Sequence, residues 1–226
     1  MRFRFALIGL CAACLVLADD TTSQKIQVGK TENFEFPANG TLRVETSTGE
    51  LTIEGWDQPG VEISTTASGK DPDGVKISAK RNGDELVVTT ECPHHRAFPW
   101  VSPLSVVTNF TLDYRIKVPR NAKLVVRHDD GEVHIDNVAG SIQVAARQGL
   151  ITLRMTGDTV PTIDARSRIG SVNSDFNGAE THHPWPFGHR LEEGKPAAGQ
   201  NLHLRIGYGD IVILKAHNPE APRPVT

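Results

Sequence analysis

Polar and apolar residues alternate along much of this chain, and five stretches share one pattern around a glycine. Each stretch has mostly small or apolar residues at three alternate positions, the glycine three residues later, and two more alternating residues after it. Alternation with period 2 is typical of a strand with one buried face, and the glycine indicates a corner that needs a positive φ or lacks room for a Cβ. Each copy therefore predicts two short strands around a corner. The copies are Leu42, Val44, Thr46, Gly49, Leu51, Ile53; Leu124, Val126, His128, Gly131, Val133, Ile135; Ile142, Val144, Ala146, Gly149, Ile151, Leu153; Ile163, Ala165, Ser167, Gly170, Val172, Ser174; and Leu202, Leu204, Ile206, Gly209, Ile211, Ile213.

The spacing of the corner glycines predicts a repeat architecture. Successive glycines from Gly131 onward are 18, 21 and 39 residues apart, and the longest interval holds either two coils or one coil with an insertion. A period near twenty indicates a solenoid whose coils pair through parallel ladders. The fold prediction is all-β: a single-stranded parallel β-helix, right-handed by default. Three rows are predicted along its axis: Val133, Ile151, Val172 and Ile211; Ile135, Leu153, Ser174 and Ile213; Leu124, Ile142, Ile163 and Leu202.

The part of the chain before residue 119 is less regular and predicts some antiparallel pairing. Strands are predicted at 61–65, 75–80, 85–90 and 106–118. Asn82 and Gly83 lie between the second and third of these and are typical of a tight hairpin turn. The N-terminal half is therefore predicted to be partly antiparallel. No amphipathic helix of useful length is predicted.

Residues 1–18 predict a secretory signal. Arg2 and Arg4 precede an apolar run of thirteen residues, which is too short for a bilayer core that needs about 20. The predicted domains are the signal at 1–18, a β-solenoid at 19–216 and a disordered tail at 217–226. A second interpretation makes Cys14 a lipoprotein cysteine, although Cys11 stands where a lipobox usually has leucine. The protein is predicted to be exported to the periplasm, cell surface or medium, with no transmembrane segment in the mature chain.

Charge and cysteine content narrow the function classes. The chain has 24 basic and 27 acidic residues, and the sequence shows no basic stripe that would indicate nucleic acid. Cys92 alone remains after the signal, so no internal disulfide is expected. The sequence contains no nucleophile elbow and no phosphate loop. The protein is predicted to be non-enzymatic and to need no cofactor.

The exported start, the glycine corners and the phrase Tyr114-Arg115-Ile116-Lys117-Val118-Pro119 before Leu124-Val125-Val126 resemble the bacterial putative-adhesin family of domains of unknown function. The resemblance covers roughly residues 41–214. It implies a parallel β-helix similar to head GIN domains and an adhesin-like role in the cell envelope. It implies no catalytic residues.

Two loops carry the candidate binding residues. Both contain a histidine pair followed closely by proline, phenylalanine and tryptophan. If the loops meet, their imidazoles, with Cys92, suit zinc or copper, and the metal candidates are His94, His95, His182 and His183. Otherwise they are exposed loops that cover the solenoid. The candidate binding residues for an envelope protein or a glycan are His94, His95, Phe98, Trp100, His182, His183, Trp185, Phe187 and His189.

A β-helix carbohydrate-active enzyme is the alternative function. It needs carboxylates that converge in a groove. The acidic residues do not recur at one position of the repeat, and this favours a role in surface charge over a role in catalysis. His128 is predicted to be a hydrogen-bonded residue at the end of the core. The acids considered are Asp129, Asp130, Asp158, Asp164 and Asp175.

Overall fold

The computed structural model describes residues 23–69, 75–91, 110–156, 162–176, 180–182, 188–193 and 200–216. Regular structure in these ranges is all β, as predicted, and none of the described residues forms a helix with the length and apolarity needed to span a bilayer. The strands are β1 (Ser23–Ile26), β2 (Thr31–Phe34), β3 (Thr41–Trp56), β4 (Val61–Gly69), β5 (Lys76–Asn82), β6 (Glu85–Glu91), β7 (Phe110–Pro119), β8 (Lys123–Asp136), β9 (Ile142–Thr156), β10 (Thr162–Ile169), β11 (Val172–Ser174), β12 (Glu180–His182), β13 (His189–Glu193) and β14 (Asn201–Ala216).

Four copies of the glycine pattern form single long strands, β3, β8, β9 and β14, and the fifth forms β10 and β11. Buried positions shift phase at the glycine: in β3, Leu42 and Val44 are buried before the corner, and Leu51 and Ile53 are buried after it. Because of this shift, both segments of each strand contribute to one hydrophobic core. The five corner glycines have φ between +108° and +139°, as the pattern predicts.

All three predicted rows are present in the parallel ladders. In the first, Val133 pairs with Ile151, Ile151 with Ile211, and Ile211 with Val172. Their order differs from the order of the copies along the chain, because β14 lies between β9 and β10. The interval between Gly170 and Gly209 is therefore one coil carrying an insertion, which includes β12 and β13.

The sheet is open and mixed, so a single-stranded parallel β-helix over the whole chain is not confirmed. At β3 the sheet divides: the first segment pairs with β6 and leads to β5 and β1, and the second pairs with β7 and leads to β4 and β2. β6 and β7 pair with β3 in parallel, and the pairings farther from β3 are antiparallel. The pairings of β13 and β12 beyond β10 are also antiparallel. Hairpins at both ends pair backbone groups that the last parallel strands would otherwise expose. One of them is the predicted turn at Gly83, which joins β5 and β6.

Candidate functional site

The corner glycines form a row in which each backbone lies against the next. A Cβ on Gly149 would lie 1.7 Å from the carbonyl oxygen of Gly131, and one on Gly209 would lie 1.8 Å from that of Gly149. Gly131 approaches Gly49 in the same way, at 1.9 Å. No side chain fits at these distances, so the corner is a structural feature of the coils.

Polar side chains three residues before the glycines hydrogen-bond to this row. His128 is 2% exposed; its Nε2 donates to the Gly49 carbonyl oxygen at 3.1 Å, and its Nδ1 accepts from Thr46 Oγ1 at 2.7 Å. Ser167 Oγ donates to the Gly209 carbonyl oxygen at 2.7 Å. Burial lowers the pKa of His128 and outweighs the opposing effects of the Gly49 carbonyl and the nearby Asp129. His128 is therefore a hydrogen-bonded structural residue, as predicted, and its imidazole is neutral. Both of its ring nitrogens are already engaged by Gly49 and Thr46.

A groove of about 530 Å³ opens on the first segments of β3 and β8 and on the end of β6. We call it the polar groove, and its lining residues are Glu45, Thr46, Ser47, Thr89, Thr90, Glu91, Arg127 and Asp129. Glu45 Oε1 lies 4.0 Å from Arg127 Nη1, and the carboxylates of Glu91 and Asp129 line the same groove. Glu91 is the last residue of β6, so the first predicted loop begins at the edge of this groove.

A second charged group lies on β10, β13 and β14. Arg205 donates to both Asp164 carboxylate oxygens, at 3.1 and 2.5 Å, while His203 Nδ1 lies 3.1 Å and Arg190 Nε 3.7 Å from that carboxylate. Arg190 also pairs with Glu192. Partial burial tends to raise the pKa of Asp164, but the hydrogen bond and charge of Arg205, aided by the other cations, hold that pKa below its ordinary value. Asp164 therefore holds two arginines in place and does not act as a free acid.

The structure describes two of the nine predicted binding residues. His182 lies in β12 opposite Arg190, and His189 lies in β13 opposite Ser167. The side chain of His182 lies outside the described residues, as do His94, His95, Phe98, Trp100, His183, Trp185 and Phe187 altogether.

The points where the two predicted loops leave the sheet lie far apart. Six strand spacings separate β6, where the first loop begins, from β13, where the second ends; this is about 30 Å along the sheet. Within the described residues, no three His, Cys, Asp or Glu side chains are grouped so that they could hold a metal. A metal site shared by both loops stays a prediction about the remaining residues.

The acidic residues considered for catalysis lie in different parts of the structure. Asp129 lines the polar groove, Asp164 is ion-paired, and Asp175 accepts a hydrogen bond from the Lys215 backbone at 3.3 Å. Asp158 lies outside the described residues. Sequence analysis missed Glu45 and Glu91 as partners of Asp129, because only the pairing of β3 with both β6 and β8 brings them to one groove.

Comparisons with known proteins show no family. No family model matches the chain, and no curated protein is significantly similar to it. A solved structure with a related shape is that of a "putative cell adhesion protein" from Clostridium sporogenes ATCC 15579. It is 10% identical, has a TM-score of 0.48, and the match covers 87% of this chain and all of that one. A likeness of this size carries no functional argument, and the family resemblance stays a prediction.

Proposed function

We propose that this protein is an exported, non-enzymatic binding protein with an adhesin-like role in the cell envelope, and that the polar groove binds a glycan. The composition of the groove carries the proposal: hydroxyl side chains, three carboxylates and one guanidinium line it, and among the hydroxyls those of Thr46 and Thr90 also hydrogen-bond to His128 and Tyr114. Such groups donate to and accept from the hydroxyls of a sugar. The signal-like residues 1–18 support export.

The setting of the groove supports binding. Its residues lie on three neighbouring strands of a parallel ladder, a short solenoid-like stack in which each strand holds the next in register. Sites on such elements are held more rigidly than sites on loops. A volume of about 530 Å³ is within the usual range of about 300–1,000 Å³ for ligand sites. We propose that Phe98 and Trp100, two of the candidate binding residues, take part in binding the glycan.

The test fills the groove without removing a hydrogen bond that the structure shows. Thr89→Trp adds a large side chain beside Glu45, its partner in the ladder. Thr152→Trp places the same change on an outward position of β9 away from the groove and is the control. On an array of neutral and acidic glycans, Thr89→Trp should weaken wild-type binding by about tenfold or more, the size of one or two lost hydrogen-bonded contacts, while Thr152→Trp should not. Equal binding by both variants would contradict the groove as the site.

A carbohydrate-active enzyme is the second candidate, because Glu45, Glu91 and Asp129 line one groove. Glycosidases use two carboxylates across the scissile bond. Release of reducing ends from a bound glycan by the wild type, and its loss in Glu45→Gln or Glu91→Gln, would replace the binding proposal with this one. We expect no release.

A further inference from the structure

Three arginines lie side by side on the same outward surface as the polar groove, at the other end of the sheet. Arg205 of β14 is the register partner of Arg166 in β10, which is in turn the partner of Arg190 in β13. Neighbouring strands are about 4.8 Å apart, so the three Cα atoms form a short row across the sheet. Like charges directly opposite each other destabilise a sheet, and here Asp164 and Glu192 offset this cost for Arg205 and Arg190 but not for Arg166.

Two more arginines enlarge the group. Arg168 follows Arg166 by two positions on the same face of β10, and Arg147 occupies the same coil position in β9 as Arg168 does in β10. We call these five residues the arginine face: Arg147, Arg166, Arg168, Arg190 and Arg205. Within the described part of the chain, the side chains of Arg147, Arg166 and Arg168 form no hydrogen bond or ion pair.

The arginine face is strongly cationic although the chain is not. The outward side chains counted here are the described ones of β10 and β13 and of the segments of β9 and β14 before the corner glycines. They include five arginines and two carboxylates, Asp164 and Glu192, while the whole chain has a formal charge of −3. Both carboxylates are used to hold Arg190 and Arg205. The three unpaired guanidinium groups therefore remain available to an external anion.

We infer that the arginine face binds an acidic polysaccharide, one that carries a carboxylate or sulfate on successive sugar units. A guanidinium group binds either anion through two parallel hydrogen bonds. The strand spacing of about 4.8 Å is comparable to the length of one pyranose unit in a linear chain, so neighbouring arginines can meet neighbouring anions.

The position of the face relative to the groove supports a polymer. Arg127, which lines the polar groove, is the register partner of Ala145, and Ala145 is the partner of Arg205. One line of outward positions thus connects the groove with the arginine face, and a linear chain lying across the strands contacts both. The inference rests on the proposed function, since it names the class of the glycan.

Binding to polygalacturonate tests the inference, with neutral dextran and single-stranded DNA as comparison ligands. The double variant Arg166→Gln, Arg168→Gln removes two unpaired arginines and no ion pair that the structure shows. Arg115→Gln with Lys30→Gln is the matched control, because it removes the same charge from two exposed positions elsewhere. The wild type should bind polygalacturonate more weakly as salt rises, the first variant should lose about tenfold or more in affinity, and the control should stay within about twofold.

Three outcomes would overturn the inference: no binding of polygalacturonate by the wild type, equal loss in both double variants, or tighter binding of DNA than of polygalacturonate. Failure of the broader proposal is distinguishable from these. Groove-dependent binding of a neutral glycan without binding of polygalacturonate rejects only the arginine face. Absence of binding to every glycan rejects both.

Discussion

At the scale of single residues, the corner glycines combine two separate requirements. Gly149 has a φ of +124°, and it also lies where a Cβ would overlap the carbonyl oxygen of Gly131. Gly29 has a φ of +81°, but no atom lies within 4 Å of the place its Cβ would occupy. The two positions therefore separate backbone strain from steric overlap.

We expect Gly149→Ala to destabilise the fold far more than Gly29→Ala. Strain at Gly29 should cost about 1–2 kcal/mol in the free energy of unfolding. Overlap at 1.7 Å with backbone forces two coils apart, and should add several kcal/mol or prevent folding. Denaturant unfolding followed by circular dichroism measures both variants. Similar losses in the two would show that the contact between coils is not the limiting feature.

His128 predicts a loss of stability in mild acid. Its pKa in the folded protein is lowered from 6.5 by burial, so below pH 6.5 the unfolded chain binds a proton that the folded chain resists. The free energy of unfolding should therefore decrease as the pH falls from 6.5 towards 5, by up to about 1.4 kcal/mol per pH unit. Above pH 6.5 both states are neutral and this contribution is constant.

The variant His128→Gln isolates that effect, because glutamine can hydrogen-bond but does not titrate. Its unfolding free energy, measured in urea between pH 8 and 5, should vary less with pH than that of the wild type. Asp164 and Asp210 have pKa values held below the ordinary 3.8, so they contribute to stability changes at lower pH. Identical pH profiles for wild type and variant would contradict the assignment of His128.

At the scale of elements, the coils are stacked in the sheet in a different order from that of the glycine copies along the chain. β11 pairs with β14, which in turn pairs with β9. The chain leaves β11, forms the hairpin of β12 and β13 along the edge of β10, and then returns as β14 between the two earlier coils. Equivalent side chains of β9 and β11 are therefore two strand spacings apart.

Disulfide trapping tests this order. Asn173 and Val212 are register partners, and Val212 is also the partner of Thr152. In a background with the three native cysteines changed to serine, Asn173→Cys with Val212→Cys should cross-link, because adjacent strands bring Cα atoms within disulfide reach. Asn173→Cys with Thr152→Cys should not, since about 9.6 Å separates the strands. Gel mobility under non-reducing conditions measures both, and the reverse result would favour stacking in chain order.

At the scale of the whole molecule, one outward surface carries both proposed features, with the polar groove at one end and the arginine face at the other. Arg127, Arg166, Arg190 and Arg205 are widely separated in sequence, and no local run of basic residues marks them. Their alignment exists only because four coils and one hairpin are in register. The sequence showed no basic stripe, whereas the folded surface contains one.

Features that depend on residues close together in the chain could be predicted from the sequence, whereas features that depend on which strands are neighbours could not. The alternating residues and corner glycines predicted the bent strands, the buried rows and the structural role of His128, because one strand's buried face and corner depend on residues close together in the chain. The polar groove and the arginine face depend on which strands are neighbours, and the insertion between Gly170 and Gly209 changed that order. Because the coils share one pattern of buried rows, local sequence determined the coil, its corner and the antiparallel hairpin at Gly83. Only the tertiary structure decided the stacking order, the antiparallel end beyond β10 and the surface charge.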